Sequence, residues 1–172
     1  MIVKDSMILI HLAKLTLLES SCRYFKEVVI PRKVFDEILE GKERGFADAK
    51  IIEDIINMKK IQVLEIKNKN LIERANQFNI QRGEAEALAL YWQEEADYLA
   101  TDDDNVRKKS FLLNIKIIGT PAIILKLYKE RIISKDKTID SLDRLRKIGW
   151  FSNIIIDKIL MEVNKKWHNP WE

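Results

Sequence analysis

The sequence predicts an α/β fold with a central, mainly parallel sheet of about five strands. Short apolar runs rich in Ile and Val recur along the chain, and a segment with helical periodicity separates each from the next. That alternation is the pattern of a parallel sheet covered on both faces. Right-handed crossovers then bring every strand's carboxyl end to one edge, which is where ligands bind in open α/β sheets. Acidic residues stand directly after two of these runs, at Asp5 and at Asp102, Asp103 and Asp104.

Met1 to Lys4 is a short first strand. Ser6 to Leu15 reads as a helix with Met7, Ile8, Ile10, His11 and Leu12 on its inner side, and Leu17 to Phe25 as a second. Glu27 to Ile30 is a strand stopped by Pro31, which cannot donate to a ladder and suits the first turn of the next helix. That helix stops near Gly41, Gly45 marks a second break, and Ala47 to Met58 is amphipathic. Ile61 to Ile66 reads as a strand and Asn70 to Phe78 as a helix. Gly83 to Gln93 is a helix apolar nearly all round, followed by the strand Asp97 to Thr101. Asn105 to Leu112 is helical, Ile115 to Ile118 is the fifth strand, and Gly119-Thr120-Pro121 opens a helix reaching about Glu130.

The last forty residues or so differ. Ser134 to Lys137 reads as a polar connector. Thr138 to Lys147 places Ile139, Leu142 and Leu145 on one helix face, with Gly149 as C-cap. Ile154 to Asn164 places Ile155, Ile159 and Val163 in register, and Trp150, Trp167 and Trp171 lie in this region. The expected organisation is an α/β domain over residues 1–133 with a helical appendage over 134–172 packed on it.

Composition excludes several classes. With 47% hydrophobic and 33% charged residues, the chain has the make-up of a soluble globular domain, not a disordered one. The single Cys22 excludes an internal disulfide and a cysteine zinc site. No apolar run approaches the roughly 20 residues of a membrane span, and the start lacks a signal-peptide pattern, so the expected location is cytoplasmic with no membrane partner. The net charge of +3 does not by itself identify a nucleic-acid binder.

The acids carry the chemistry. Three aspartates in a row after a buried strand repel one another, a cost that a bound cation would remove. Helix capping accounts for one or two of them. Glu84 shares a stripe with Leu88 and Tyr91 and so faces inward, whereas Glu86 points toward Gln93. Asp5, the cap of the following helix on a plain reading, stands at the same sheet edge as Asp103. Asp36 and Glu37 flank the apolar face Val34, Phe35, Ile38 and Leu39 about equally, so either could lean toward that edge. Arg107 and Lys108 could meet phosphate, while His11 reads as a core residue and His168 lies far from it. Walker A and Gly-rich dinucleotide loops are missing, and Asp5-Ser6-Met7 lacks the D-x-D of dehalogenase-type phosphatases.

The opening MIVKDS, the helix VFDEILEG after VVIP, the segment RGEAEALAL, and ATDDDNVRK followed by IKIIGT occur in this order over about residues 1–130. In that order and spacing the chain resembles a PIN-domain protein. It is similar to the VapC-type nucleases of toxin–antitoxin pairs, especially an archaeal subgroup described as nucleic-acid-binding. The resemblance implies a three-layer α/β/α fold and four acids around Mg²⁺ or Mn²⁺. By position these fall on Asp5, Glu37, Glu84 and Asp103, with Asp102 also within reach of metal. The doubled aspartate leaves the fourth acid open between Asp102 and Asp103, and the third is Glu where many relatives carry Asp. Ser6, Thr101, Arg107 and Lys108 are the residues expected to meet substrate. The implied activity is metal-dependent endoribonucleolytic cleavage leaving a 5′-phosphate, with an antitoxin or a second copy as protein partner. The alternative is a non-catalytic module of the same fold that binds nucleic acid or protein.

Overall fold

Ile2–Lys4 forms β1, and all three of its residues are buried, as a strand at the centre of a parallel sheet requires. The computed structural model describes residues 1–149 and 151–165. Five strands make one sheet: β1, β2 (Val28–Pro31), β3 (Gln62–Leu64), β4 (Tyr98–Ala100) and β5 (Ile117–Ile118). Their order is β3-β2-β1-β4-β5, and every pairing is parallel. The helices of the described residues are α1 (Ser6–Lys14), α2 (Leu18–Phe25), α3 (Arg32–Glu43), α4 (Ala47–Asn57), α5 (Asn70–Asn76), α6 (Arg82–Gln93), α7 (Asp104–Lys109), α8 (Thr120–Lys129), α9 (Lys135–Ile148) and α10 (Asn153–Asn164). The predicted three-layer α/β/α architecture is therefore present, and the sheet, expected to be mainly parallel, is parallel throughout. Trp150, Trp167, Trp171 and His168 lie outside the described residues.

The chain divides into two compact units, Met1–Thr120 and Pro121–Glu172. The first contains the whole sheet. On one face Val3, Val29 and Leu99 pack against Ala75 of α5, Ala85, Leu88 and Leu90 of α6, and Val106 of α7. Side chains alternate across a strand, so Lys4 leaves on the same side of the sheet as Ile2. Lys4 is wholly buried, and its Nζ donates to Ser21 Oγ of α2 at 2.6 Å. Its ammonium also lies 5.7 Å from the Phe25 ring centroid. Burial lowers its pKa to about 8.

Several boundaries move for identifiable reasons. Helix α3 passes through Gly41, where even a Cβ would meet that of Ala49 of α4 at an ordinary contact distance of 3.4 Å, so the packing does not break the helix there. The turn is made instead by Gly45, at φ 82°. Pro31 ends β2 as the N-cap of α3 and not as its first helical residue. On α1 the buried stripe is Ile8, Leu9, His11 and Leu12, while Met7 is exposed and Ile10 half-buried, contrary to expectation. Strand β3 is shorter than the run Ile61 to Ile66 because it pairs only with β2 and stops beside Pro31. Helix α7 ends at Lys109, short of the predicted Leu112, and leaves Phe111 and Leu112 exposed.

In the second unit, Ser134 accepts from the Lys137 amide at 3.1 Å, which caps α9. The residues predicted as a connector are thus its cap and first turn. Gly149 does cap α9, but in extended conformation and not the left-handed one. On α10 the buried residues are Ile156 and Val163, and Ile155 is exposed. Arg146 of α9 pairs with Asp157 of α10 at 2.7 Å, and Lys129 of α8 pairs with Glu162. Among the described residues, no helix is long and apolar enough to cross a membrane.

Candidate active site

The carboxyl ends of β1 and β4 are neighbours, because Lys4 is paired with Ala100. The Asp5 amide extends this pairing by donating to the Ala100 carbonyl at 3.1 Å. Asp5 and Thr101 therefore stand side by side, one residue past the paired strands. The Asp5 carboxylate accepts from the Ile8 amide at 2.9 Å, capping α1, and from the Thr101 hydroxyl. Asp5 is almost fully buried. Burial, chiefly, raises its pKa to about 7 against those two hydrogen bonds, and the charges of Asp102 and Glu84 add to the rise.

The three aspartates after β4 divide the work. Asp102 turns into the protein: Oδ1 accepts from the Thr120 amide at 2.8 Å, and Oδ2 meets the Thr120 hydroxyl and His11 Nδ1, the latter at 2.9 Å. Asp103 caps α7 through the Val106 amide at 2.8 Å, and its own amide donates to Thr101 Oγ1 at 3.1 Å. Asp104 is exposed and lies 3.8 Å from Lys108. Of the two aspartates left open by the sequence, Asp103 is the one that lines an open cleft. That cleft, of about 330 Å³, is bounded by Asn79, Ile80, Gln81, Arg82, Glu84, Asp103 and Asn105.

Glu84 is half-buried in the first turn of α6. Burial raises its pKa, and the neighbouring charges of Asp103 and Glu37 contribute. Glu37 reaches this place because Gly83 has no side chain: a Cβ there would lie 2.8 Å and 2.9 Å from the two Glu37 oxygens. Asp36, equivalent to Glu37 by periodicity, instead pairs with Arg32 at 3.0 Å. Glu86 is not directed at Gln93 as predicted. It accepts from the Lys33 amide at 3.3 Å, satisfying the start of α3, where the Pro31 cap offers no side-chain acceptor.

Asp5, Glu37, Glu84 and Asp103 thus form a chain of mutually repelling carboxylates at one sheet edge. Ser6 is partly buried at the start of α1. Thr101 is buried, with its hydroxyl shared between Asp5 and the Asp103 amide, so it positions both acids. Arg107 and Lys108 lie in the last turn of α7, with Lys108 exposed. Sequence reasoning placed His11 in the core without its Asp102 partner, and did not single out Thr120, Asn79, Gln81 or Arg82. The only sequence signal for Arg82 is its place just before Gly83-Glu84.

A divalent ion can be tested against these side chains. Hard carboxylate oxygens suit Mg²⁺ or Mn²⁺, and the raised pKa values of Asp5 and Glu84 mark where positive charge would be welcome. Among the described residues, no three or more His, Cys, Asp or Glu side chains are gathered tightly enough to form a ready ligand set. The donor chemistry fits. The model of a PIN-domain family matches residues 1–165. The chain belongs to the PIN-domain family. No curated protein and no solved structure matches it. Membership gives this PIN domain a nuclease-type fold, in a family that in general uses divalent metal.

Proposed function

We propose that this PIN domain is a metal-dependent endoribonuclease that hydrolyses RNA phosphodiester bonds. The observation that carries the reading is Asp5, buried at the end of the central strand and raised in pKa among Asp102 and Glu84. A nearly buried carboxylate facing other carboxylates is costly, and perturbed groups beside a cleft are characteristic of functional sites.

Asp5, Glu84 and Asp103, with Glu37 behind them, are the residues that would hold Mg²⁺ or Mn²⁺. Such an ion supplies neutralisation of phosphate charge and activation of water. The protein's own contribution is positional. Thr101 fixes the Asp5 carboxylate and the Asp103 amide, and the capping bonds from Ile8 and Val106 fix one oxygen of each acid. Gly83 lets Glu37 approach, and the cleft admits substrate beside Glu84 and Asp103. Ser6, Arg107 and Lys108 are the further candidates for contact with RNA.

Asp5→Asn and Asp103→Asn, assayed against RNA with Mn²⁺, are each expected to lose at least about 100-fold in cleavage rate, the scale of losing one charge-stabilising group. Undiminished cleavage by both variants refutes the reading. A toxin role requires an antitoxin, whose basic side chain would pair with the acidic edge; co-expression with the product of a short neighbouring reading frame tests for it.

A further inference from the structure

The segment that lines the cleft together with the acids has its own construction. Along residues 79–82 only Ile80 is buried, while Asn79, Gln81 and Arg82 are exposed along the rim. Two of these residues adopt left-handed backbone, Asn79 at φ 54° and Arg82 at φ 56°. For Arg82 that conformation is disfavoured. The segment is clamped to α7: Asn105 Nδ2 donates to the Asn79 carbonyl at 2.7 Å, and Lys109 Nζ bonds both the Phe78 carbonyl and Asn105 Oδ1. Since Asp103 caps α7, the rim is held fixed relative to that acid.

The clamp uses up the side chains of Asn105 and Lys109 and leaves others free. Among the described residues, Asn79 and Gln81 make no side-chain hydrogen bond, and Arg82 makes no ion pair although its charge is felt at Glu84. Arg82 is the cation among the residues that line the cleft. A guanidinium next to carboxylates that need a metal offers an anion its own electrostatic anchor. Free amides present both a donor and an acceptor, which is what the edge of an unpaired base requires. The volume of about 330 Å³ lies at the small end of ligand sites, matching one nucleotide unit better than a duplex.

We infer that this cleft is a nucleotide subsite for single-stranded RNA, in which Arg82 holds a backbone phosphate and the amides of Asn79 and Gln81 contact the adjoining base. The subsite rests on the proposed nuclease reading for its biological meaning, but it binds without metal, so the two can fail separately.

The test is fluorescence anisotropy of a labelled single-stranded oligoribonucleotide on the full chain in EDTA over a range of salt. Arg82→Gly is the variant of choice, because glycine accepts the backbone conformation at this position and the fold is retained. The expected result is about a tenfold weaker Kd, with the slope of log K against log salt smaller by about 0.7, the loss of one phosphate contact on a single strand. The double variant Asn79→Ala, Gln81→Ala is expected to weaken binding with the salt slope unchanged. Equal affinity and equal slope for wild type and Arg82→Gly overturn the subsite, as does failure of the wild type to bind the oligoribonucleotide. Arg82-dependent binding by a protein that never cleaves RNA sustains the subsite and refutes the nuclease. Cleavage whose KM ignores Arg82 does the reverse.

Discussion

Asp5 carries an electrostatic cost that the surrounding protein does not remove. Its carboxyl is held at about 7 by burial, with the charges of Asp102 and Glu84 behind it, whereas an unfolded aspartate titrates near 4. The folded chain keeps this proton over a range in which the unfolded chain has released it. The stability so gained is complete below about pH 4 and is lost as pH rises through about 7. Glu84, also raised by burial, acts in the same direction. In EDTA, the unfolding free energy of the wild type relative to Asp5→Asn should therefore fall between about pH 4 and about pH 7, by an amount on the order of a few kcal/mol, and level off above that. A constant difference between the two proteins over that interval would show that Asp5 titrates normally.

At the scale of elements, α3 and α6 are locked to each other in two places. Glu86 of α6 caps the start of α3, and Glu37 of α3 rests over Gly83 of α6. The second contact exists only because position 83 lacks a side chain. Gly83→Ala would place a methyl group 2.8 Å from Glu37 Oε1, and the flexible glutamate end would swing away while the helices stay. The expected outcome is a stability change within about 1 kcal/mol, since alanine favours helix and offsets the displacement. Metal-dependent cleavage should fall about as far as in Glu37→Gln. Full activity in Gly83→Ala would mean that the position of Glu37 does not matter to the reaction.

For the whole molecule, repelling carboxylates at one edge of a parallel sheet make stability depend on what binds there. An ion that binds the folded chain at 100 times its Kd adds about 2.7 kcal/mol. For a chain of this size that is a rise in Tm of roughly 5–10 °C. Mn²⁺ titration followed by thermal denaturation should give such a rise in the wild type and little in an Asp5→Asn, Asp103→Asn double variant. Equal shifts in both would place the ion elsewhere.

Local patterns in the sequence were enough to read the alternation of strands and helices, a mainly parallel sheet and the acidic character of its carboxyl edge. These follow from local periodicity and from the handedness of crossovers, which need no knowledge of distant contacts. The sequence also brought Asp5, the pair Asp36 and Glu37, Glu84 and the run from Asp102 to Asp104 into view through their places after strands and on helix faces, and the PIN resemblance implied Glu37 of the pair while leaving Asp102 and Asp103 open. Only the tertiary structure chose between near-equivalents. Asp36 pairs outward with Arg32 while Glu37 meets Gly83, a choice that periodicity could not make. Asp102 turns inward to His11 and Thr120, residues 91 and 18 positions away, while Asp103 faces the cleft. The rim of Asn79, Gln81 and Arg82 depends on two residues in left-handed backbone and on a clamp from α7. Such distinctions rest on partners far apart in the chain, and pairing across that distance is set by how the layers pack, which no local pattern encodes.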